Sequence, residues 1–173
     1  EAVSLIDVMR RGGIEVTLAY LDDEFDTDLV LGANGITIKA DVSINTVIAD
    51  DFDMIVLPGG WDGTYALADN KKVQSLLKEF KEREKLVGAI CAAPYALSRA
   101  GVLGKDYTCY PSVENEIKQD GYRADKMVVV DGNIITSRGP GTALCFGLEI
   151  VRTLVGKDSY IAIKEGMLLD FCN

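Results

Sequence analysis

LVGAICAAP, residues 86–94, carries the strongest structural signal in this sequence. A short apolar run rich in strand-forming residues ends on Cys91, and two alanines and Pro94 lead into a helical pattern. A strand that turns sharply into a helix holds its turn residue in a cramped backbone between small neighbours. The pattern therefore predicts a nucleophile elbow, with Cys91 at a helix start that favours a thiolate. The competing interpretation is a buried cysteine that closes a core strand.

The composition is that of an ordinary folded protein, and the length predicts one domain over residues 1–173. Hydrophobic residues make up 48% of the chain and charged residues 26%. The net charge of −9 argues against a nucleic acid or an anionic membrane surface as the partner. No apolar run approaches the roughly 20 residues that cross a membrane.

The cysteines and the missing histidines narrow the chemistry. Cys91, Cys109, Cys145 and Cys172 show no CxxC spacing and fall in different predicted elements. We therefore expect reduced cysteines in a cytoplasmic protein, with Cys109 and Cys145 in the core and Cys172 a free thiol at a frayed end. The absence of histidine argues against a metal site of the zinc type and excludes Cys-His and Ser-His-Asp mechanisms.

Strand-like and helix-like patterns alternate along the chain, with an acidic loop expected at residues 22–28. The predicted strands are 14–20, 54–57, 86–90 and 107–110, and the predicted helices are 3–11, 71–85, 94–100, 113–119, 141–155 and 158–166. Asn34-Gly35 and Asp131-Gly132-Asn133 predict two hairpins. This alternation predicts an α/β fold, a mostly parallel sheet with helices on both faces and added hairpins.

The first predicted helix has no strand before it, although a βαβ unit requires one. Such a strand would lie near the centre of the sheet. We therefore expect a short leading segment that was removed, left out or carried separately.

Three turns are expected to meet at the carboxyl ends of the strands, where open α/β sheets bind ligands. One turn holds Gly59 and Gly60, whose backbone N–H groups can face a neighbouring site, and the second holds Cys91. The third turn, TSRGPGT at 136–142, opens a helix and suits an anion or a developing oxyanion. The pocket residues expected from this third turn are Arg138, Gly139 and Pro140.

Two side chains near these turns have two interpretations each. Trp61 follows the two glycines and either walls the pocket or covers a hydrophobic edge. Arg138 either binds an anionic group of a substrate or pairs with a surface carboxylate, and the charge of the chain favours the pairing.

The turns and their neighbours also resemble the signature blocks of the DJ-1/ThiJ/PfpI family, in the branch that contains Parkinson disease protein seven. The blocks are DVMRRGGI at 7–14, LPGG at 57–60, AICAAP at 89–94 and TSRGPGT at 136–142, in the order and spacing of the family. The resemblance implies a flavodoxin-like three-layer sandwich that forms a homodimer and uses no cofactor. It also implies that the family's first strand precedes Glu1.

The resemblance further implies the members of a site. Cys91 matches the family's reactive cysteine, Glu1 matches a helix glutamate beside it, and Gly60 and Ala92 match backbone donors for an oxyanion. Tyr110 stands in the pocket position where several members have a histidine before a proline. The proton shuttle of that histidine then falls to Glu1, to Tyr110 or to water.

These residues lead to one preferred function and two alternatives. We expect a Cys91 thiolate, held by protonated Glu1, to add to small reactive carbonyls such as methylglyoxal and to form a hydroxy acid, a glyoxalase or deglycase reaction. The first alternative is a redox sensor in which peroxide oxidises Cys91 to a sulfinate. The second is a peptidase or amidotransferase-like hydrolase, which normally needs a histidine base; residues 1–173 contain none, so the leading segment would have to supply it.

Overall fold

A computed structural model describes residues 1–22 and 27–172; residues 23–26, within the predicted acidic loop, lie outside the described residues. The helices are α1 Ala2–Arg11, α2 Trp61–Asp69, α3 Lys71–Glu82, α4 Pro94–Arg99, α5 Glu114–Ile117, α6 Ala143–Leu154 and α7 Lys157–Gly166. The strands are β1 Ala19–Tyr20, β2 Leu29–Leu31, β3 Thr37–Lys39, β4 Val42–Ser43, β5 Met54–Leu57, β6 Leu86–Ile90, β7 Val128–Asp131 and β8 Ile134–Ser137.

The central sheet has the strand order β5-β6-β8-β7. Strands β5, β6 and β8 are parallel, and β7 joins β8 as an antiparallel hairpin. Ala89 pairs with Leu57 on one side and with Thr136 on the other. Because this register aligns the carboxyl ends of three strands, the turns that follow them meet at one edge of the sheet.

Helices cover both faces of this sheet. On one face α2, α3 and α4 pack on the sheet through a core that includes Val73, Leu76, Leu77, Phe80, Ala89 and Leu97. On the other face α1 and α6 pack through Leu5, Met9, Ile90, Ile135, Phe146 and Ile150. The predicted α/β arrangement, mostly parallel with helices on both faces and two hairpins, is confirmed.

Two glycines allow α6 to pack closely. A Cβ atom on Gly147 would lie 2.8 Å from the Cβ of Val8 on α1, and one on Gly88 would lie 3.1 Å from Cζ of Phe146. Because glycine has no side chain, α1 and the sheet pack in direct contact with α6 at these two positions.

Two predicted strands are wrong in extent. The strand expected at 14–20 is regular only at Ala19–Tyr20, where β1 pairs with β4, because Ile14 is bonded back to α1 instead of to a strand. The strand expected at 107–110 is reduced to a single bridge between Tyr107 and Tyr122. The Tyr107 side chain turns instead to the carbonyl of Gln119, to which its hydroxyl donates a hydrogen bond of 2.9 Å.

A cavity of about 760 Å³ lies between α1, residues 13–19 and β5. Leu5, Met9, Val16 and Met54 are among its lining residues, and Cys91 is not.

The strand expected before α1 is not tested by the structure and stays a prediction.

The cysteines correct one expectation. Cys145 on α6 forms a disulfide with Cys172, with their Cα atoms 5.1 Å apart. Cys172 is therefore buried and bonded, not a free thiol at a frayed end, because the chain after α7 folds back onto α6 through Leu169. The spacing of the cysteines in the sequence does not predict this disulfide, because 27 positions separate Cys145 from Cys172. Cys109 lies fully in the core, as predicted.

None of the helices in the described part of the chain combines the length and the apolar character that a membrane crossing needs.

Candidate active site

Cys91 occupies the sharp turn between β6 and α4. Its φ angle is +65°, in the left-handed region that residues other than glycine rarely adopt. Its N–H donates to the carbonyl of Ser137 at 3.0 Å, and its own carbonyl accepts from the N–H of Tyr110 at 2.9 Å. These two bonds hold the turn between the ends of neighbouring segments. The predicted strand–cysteine–helix turn is therefore present.

Two backbone donors converge on the half-buried sulfur of Cys91. The N–H groups of Gly60 and Ala92 face it closely enough to lower its pKa. Gly60 is the residue before α2 and has a φ of +88°, a conformation that favours glycine. The N–H groups are therefore fixed in place before any ligand arrives, as an oxyanion site requires.

Glu1 reaches the same place from the start of α1. Its carboxylate does not cap that helix; Oε2 accepts the N–H of Gly59 at 2.9 Å instead. Oε1 is buried, and no described residue gives it a hydrogen bond. Glu1 is therefore not a solvated carboxylate at a helix start. The expectation that the Gly59 N–H faces a ligand is wrong, because Glu1 occupies that donor.

The electrostatics of Cys91 depend on the charge of Glu1. Burial, followed by the charge of Glu1, raises the pKa of Cys91 to about 11. The N–H groups of Gly60 and Ala92 lower that pKa without offsetting the rise. This rise applies while Glu1 carries the negative charge. The thiolate held by a protonated Glu1 stays a prediction. Because the two groups are close enough to hold one proton between them, a thiolate forms when that proton passes to Glu1.

Tyr110 lies beside the turn that follows β8. A Cβ atom on Gly139 would lie 3.3 Å from Cδ2 of the Tyr110 ring, so Gly139 leaves room for that ring. Gly139 is buried, and Pro140 next to it is exposed at the start of a short 3-10 turn. The structure thus brings Tyr110 and Gly139 together near Cys91, to which Tyr110 is bonded through its backbone.

Arg138 does not pair with a carboxylate among the residues described. Its side chain is half-buried, and its Nε is buried without a hydrogen bond to any described group. It lies beside Tyr122, whose pKa is raised by burial and lowered in part by Arg138. The expected surface ion pair of Arg138 is therefore wrong, because the side chain turns toward Tyr122.

Trp61 belongs to an aromatic cluster that the sequence patterns do not predict. Its ring stacks on Tyr65 at 5.1 Å and meets Tyr95 edge-on at 6.0 Å. The sequence does contain one signal for this cluster. Tyr65 lies four residues after Trp61, a spacing that brings two side chains together on one helix.

The described residues offer no metal centre. Within residues 1–22 and 27–172, no three side chains of cysteine, aspartate or glutamate gather around one point.

The fold and this turn define a class of protein, a flavodoxin-like α/β sandwich with a cysteine at the strand–helix elbow. The family model described as the DJ-1/PfpI family matches residues 1–153. The chain belongs to the DJ-1/PfpI family.

Three relatives illustrate the similarity. Protein DJ-1beta of Drosophila melanogaster is 40% identical over 173 residues, which cover 99% of this chain and 91% of that protein. Its crystal structure has a TM-score of 0.90 and covers 96% of this chain and 89% of the other. The glutathione-independent glyoxalase DJR-1.2 of Caenorhabditis elegans is 38% identical, over 98% of this chain and 89% of that protein. The structure of oxidised Toxoplasma gondii DJ-1 has 35% identity and a TM-score of 0.89, and it covers 97% of this chain and 90% of the other.

Proposed function

We propose that this protein is a cofactor-free, glutathione-independent glyoxalase that converts small 2-oxoaldehydes such as methylglyoxal to 2-hydroxy acids. One observation carries the proposal. The carboxylate of Glu1 and the N–H groups of Gly60 and Ala92 all approach the sulfur of Cys91, at a turn with positive φ. The Caenorhabditis elegans relative that is named a glyoxalase supports the same reaction.

The first step is addition of sulfur to the aldehyde carbon. The thiol proton of Cys91 passes to Glu1 as the S–C bond forms and the carbonyl π bond breaks. The negative oxygen that develops lies within reach of the donors that contact the sulfur, the N–H groups of Gly60 and Ala92. Glu1 then gives its proton to that oxygen, which completes a hemithioacetal and restores the Glu1 carboxylate.

The second step moves hydrogen within the substrate. Glu1, with its buried and unpaired Oε1, removes the proton from the former aldehyde carbon and returns a proton to the neighbouring carbon. The hemithioacetal hydroxyl loses its proton and the former ketone oxygen gains one, which gives a thioester. The aldehyde carbon is oxidised and the ketone carbon reduced, so no outside oxidant is needed. Water then hydrolyses the thioester, releases the hydroxy acid and restores the Cys91 thiol.

Kinetics on methylglyoxal test this function. We expect Cys91→Ser to abolish hydroxy acid formation and Glu1→Gln to slow it roughly 100-fold or more, the range for loss of a general acid–base group. Asp7→Asn removes another carboxylate from α1, one that pairs with Arg11, and serves as the matched control. Full turnover by either Cys91→Ser or Glu1→Gln would overturn the proposal.

A second candidate function is redox sensing at Cys91. Cys91 is the cysteine of the described residues that is both free and partly exposed. Cys109 is fully buried, and Cys145 and Cys172 are bonded to each other. The relative from Toxoplasma gondii was solved in an oxidised form. Each peroxide molecule would transfer one oxygen to the Cys91 sulfur and leave as water, and two such steps give a sulfinate.

Mass spectrometry after mild peroxide treatment tests this candidate. We expect two added oxygens on Cys91 while the Cys109 peptide stays unmodified. Oxidation of Met127 before Cys91, or equal oxidation of both cysteines, would remove the redox function.

We also propose a homodimer that uses the β2–β3 hairpin. Leu29, Val30, Leu31 and Ile36 of this hairpin are 43% to 73% exposed, an apolar surface that a partner subunit would cover. Light scattering should show a dimer in the wild type and a monomer for Leu31→Glu. Leu168→Glu, at another exposed leucine, is the control, and an unchanged mass in Leu31→Glu would contradict this interface.

A cytoplasmic location stays a prediction. The argument for it from reduced cysteines no longer holds, because Cys145 and Cys172 form a disulfide.

A further inference from the structure

Three aromatic rings form one cluster on α2 and α4. The ring centroids of Trp61 and Tyr65 lie 5.1 Å apart, those of Trp61 and Tyr95 6.0 Å, and those of Tyr65 and Tyr95 5.8 Å. One pair is stacked and the other two meet edge to face, the arrangements that aromatic rings prefer. We call this set the aromatic cluster.

The aromatic cluster adjoins the residues that supply the backbone donors of the active site. Trp61 directly follows Gly60, and the N–H of Tyr95 donates to the carbonyl of Ala92 at 3.0 Å. Gly60 and Ala92 are the residues whose N–H groups contact the sulfur of Cys91. Trp61 and Tyr95 therefore lie in the first turns of α2 and α4, the helices that begin beside these N–H groups. Their contact bridges these two helix starts.

The aromatic cluster keeps part of its surface open. Tyr65 is 45% exposed, and Trp61 and Tyr95 are half-buried against the core. A partly exposed group of three rings, in the helix turns that follow the backbone donors to the sulfur, is more than scattered surface hydrophobicity.

One side of the aromatic cluster is held by a cation. Nη1 of Arg99 donates to the hydroxyl of Tyr95 at 3.1 Å, and its guanidinium carbon lies 5.9 Å from the centre of that ring. Oδ1 of Asp69 lies 3.9 Å from Nη2 of the same Arg99. These contacts restrain the Tyr95 ring, which reduces the entropy lost when a ligand stacks against it.

We propose that the aromatic cluster is a subsite for an aryl group on the reacting carbonyl compound. This inference rests on the proposed glyoxalase function and specifies its substrate class: aryl-substituted 2-oxoaldehydes are preferred to methylglyoxal. The carbonyl carbon must lie at the Cys91 sulfur, and a flat substituent on the neighbouring carbon then extends toward Trp61 and Tyr65. Stacking and apolar burial there raise kcat/KM for phenylglyoxal over methylglyoxal by roughly tenfold or more.

The test is the ratio of kcat/KM for phenylglyoxal to that for methylglyoxal. We expect a ratio of roughly ten or more in the wild type and a fall of about threefold to tenfold in Tyr65→Leu and in Trp61→Leu. Phe171→Leu removes an exposed ring at the other end of the chain and should keep the wild-type ratio. A wild-type ratio near one, or an unchanged ratio in both cluster variants, overturns the subsite and leaves the glyoxalase proposal intact.

A binding measurement separates the two proposals if neither compound is turned over. Trp61 is the one tryptophan of the sequence, so its fluorescence reports on the aromatic cluster. In Cys91→Ser we expect saturable quenching by acetophenone at concentrations at least about tenfold below those needed with acetone, after correction with free N-acetyltryptophanamide. Tyr65→Leu in the same background should weaken the acetophenone response. Equal responses to the two ketones overturn the subsite, whereas absent turnover with selective quenching overturns only the glyoxalase function.

Discussion

Gly59 and Cys91 approach so closely that a methyl group on Gly59 would lie 2.5 Å from the Cβ atom of Cys91. The same methyl group would lie 2.7 Å from Oε2 of Glu1, which the Gly59 N–H binds. The position between the nucleophile and the carboxylate therefore has no room for a side chain. The glycine is what allows Glu1 and Cys91 to meet.

Gly59→Ala should separate this pair. The added methyl group must displace Cys91 or Glu1, which we expect to cost about 1–3 kcal/mol of the free energy of unfolding and most of the turnover. The measurements are urea denaturation and methylglyoxal kinetics. Gly63→Ala is the control, because nothing lies within 4 Å of its Cβ position and alanine is the better helix former. Wild-type activity in Gly59→Ala would contradict the close approach.

Reduction of the Cys145–Cys172 disulfide should destabilise the fold. The bond closes a loop over 27 positions, for which the chain-entropy model gives about 3.5 kcal/mol. Urea denaturation with and without a thiol reductant measures the difference. The double variant Cys145→Ala/Cys172→Ala should be insensitive to the reductant. Identical wild-type curves under both conditions would contradict the bond.

Tyr110→Phe should leave turnover within about twofold of the wild type. Tyr110 is held at the site by its backbone N–H and by ring contact with Gly139, and its hydroxyl makes no hydrogen bond to the described residues. Steady-state kinetics on methylglyoxal check this. A large fall in kcat would instead assign the proton shuttle to Tyr110 and remove it from Glu1.

The sequence predicts the parts of the fold that local patterns determine. The apolar run before Cys91 gives β6, and Asp131-Gly132-Asn133 gives the β7–β8 hairpin, because turn chemistry and burial both act over a few residues. Residues 14–18 alternate like a strand and still lie outside one, because strand formation also requires a partner strand. The local sequence pattern does not show which distant segment a strand will pair with.

The candidate site shows the same division. The elbow at Cys91 follows from neighbouring residues, and Glu1 was placed through family resemblance. The occupation of the Gly59 N–H by Glu1 depends on contact between residues 58 positions apart. The Cys145–Cys172 bond likewise depends on how the end of the chain packs against α6.

The central claim is that Cys91 and Glu1 share one proton, and the pH dependence of Cys91 alkylation tests it most directly. Burial and the Glu1 charge raise the pKa of Cys91 to about 11, so wild-type alkylation by iodoacetamide should rise toward that pH. Glu1→Gln removes the charge and the carboxylate hydrogen bond, both of which raise the pKa, so its alkylation midpoint should fall and its rate near pH 8 should increase. Asp7→Asn should titrate like the wild type. A midpoint that is unchanged or higher in Glu1→Gln would contradict the account.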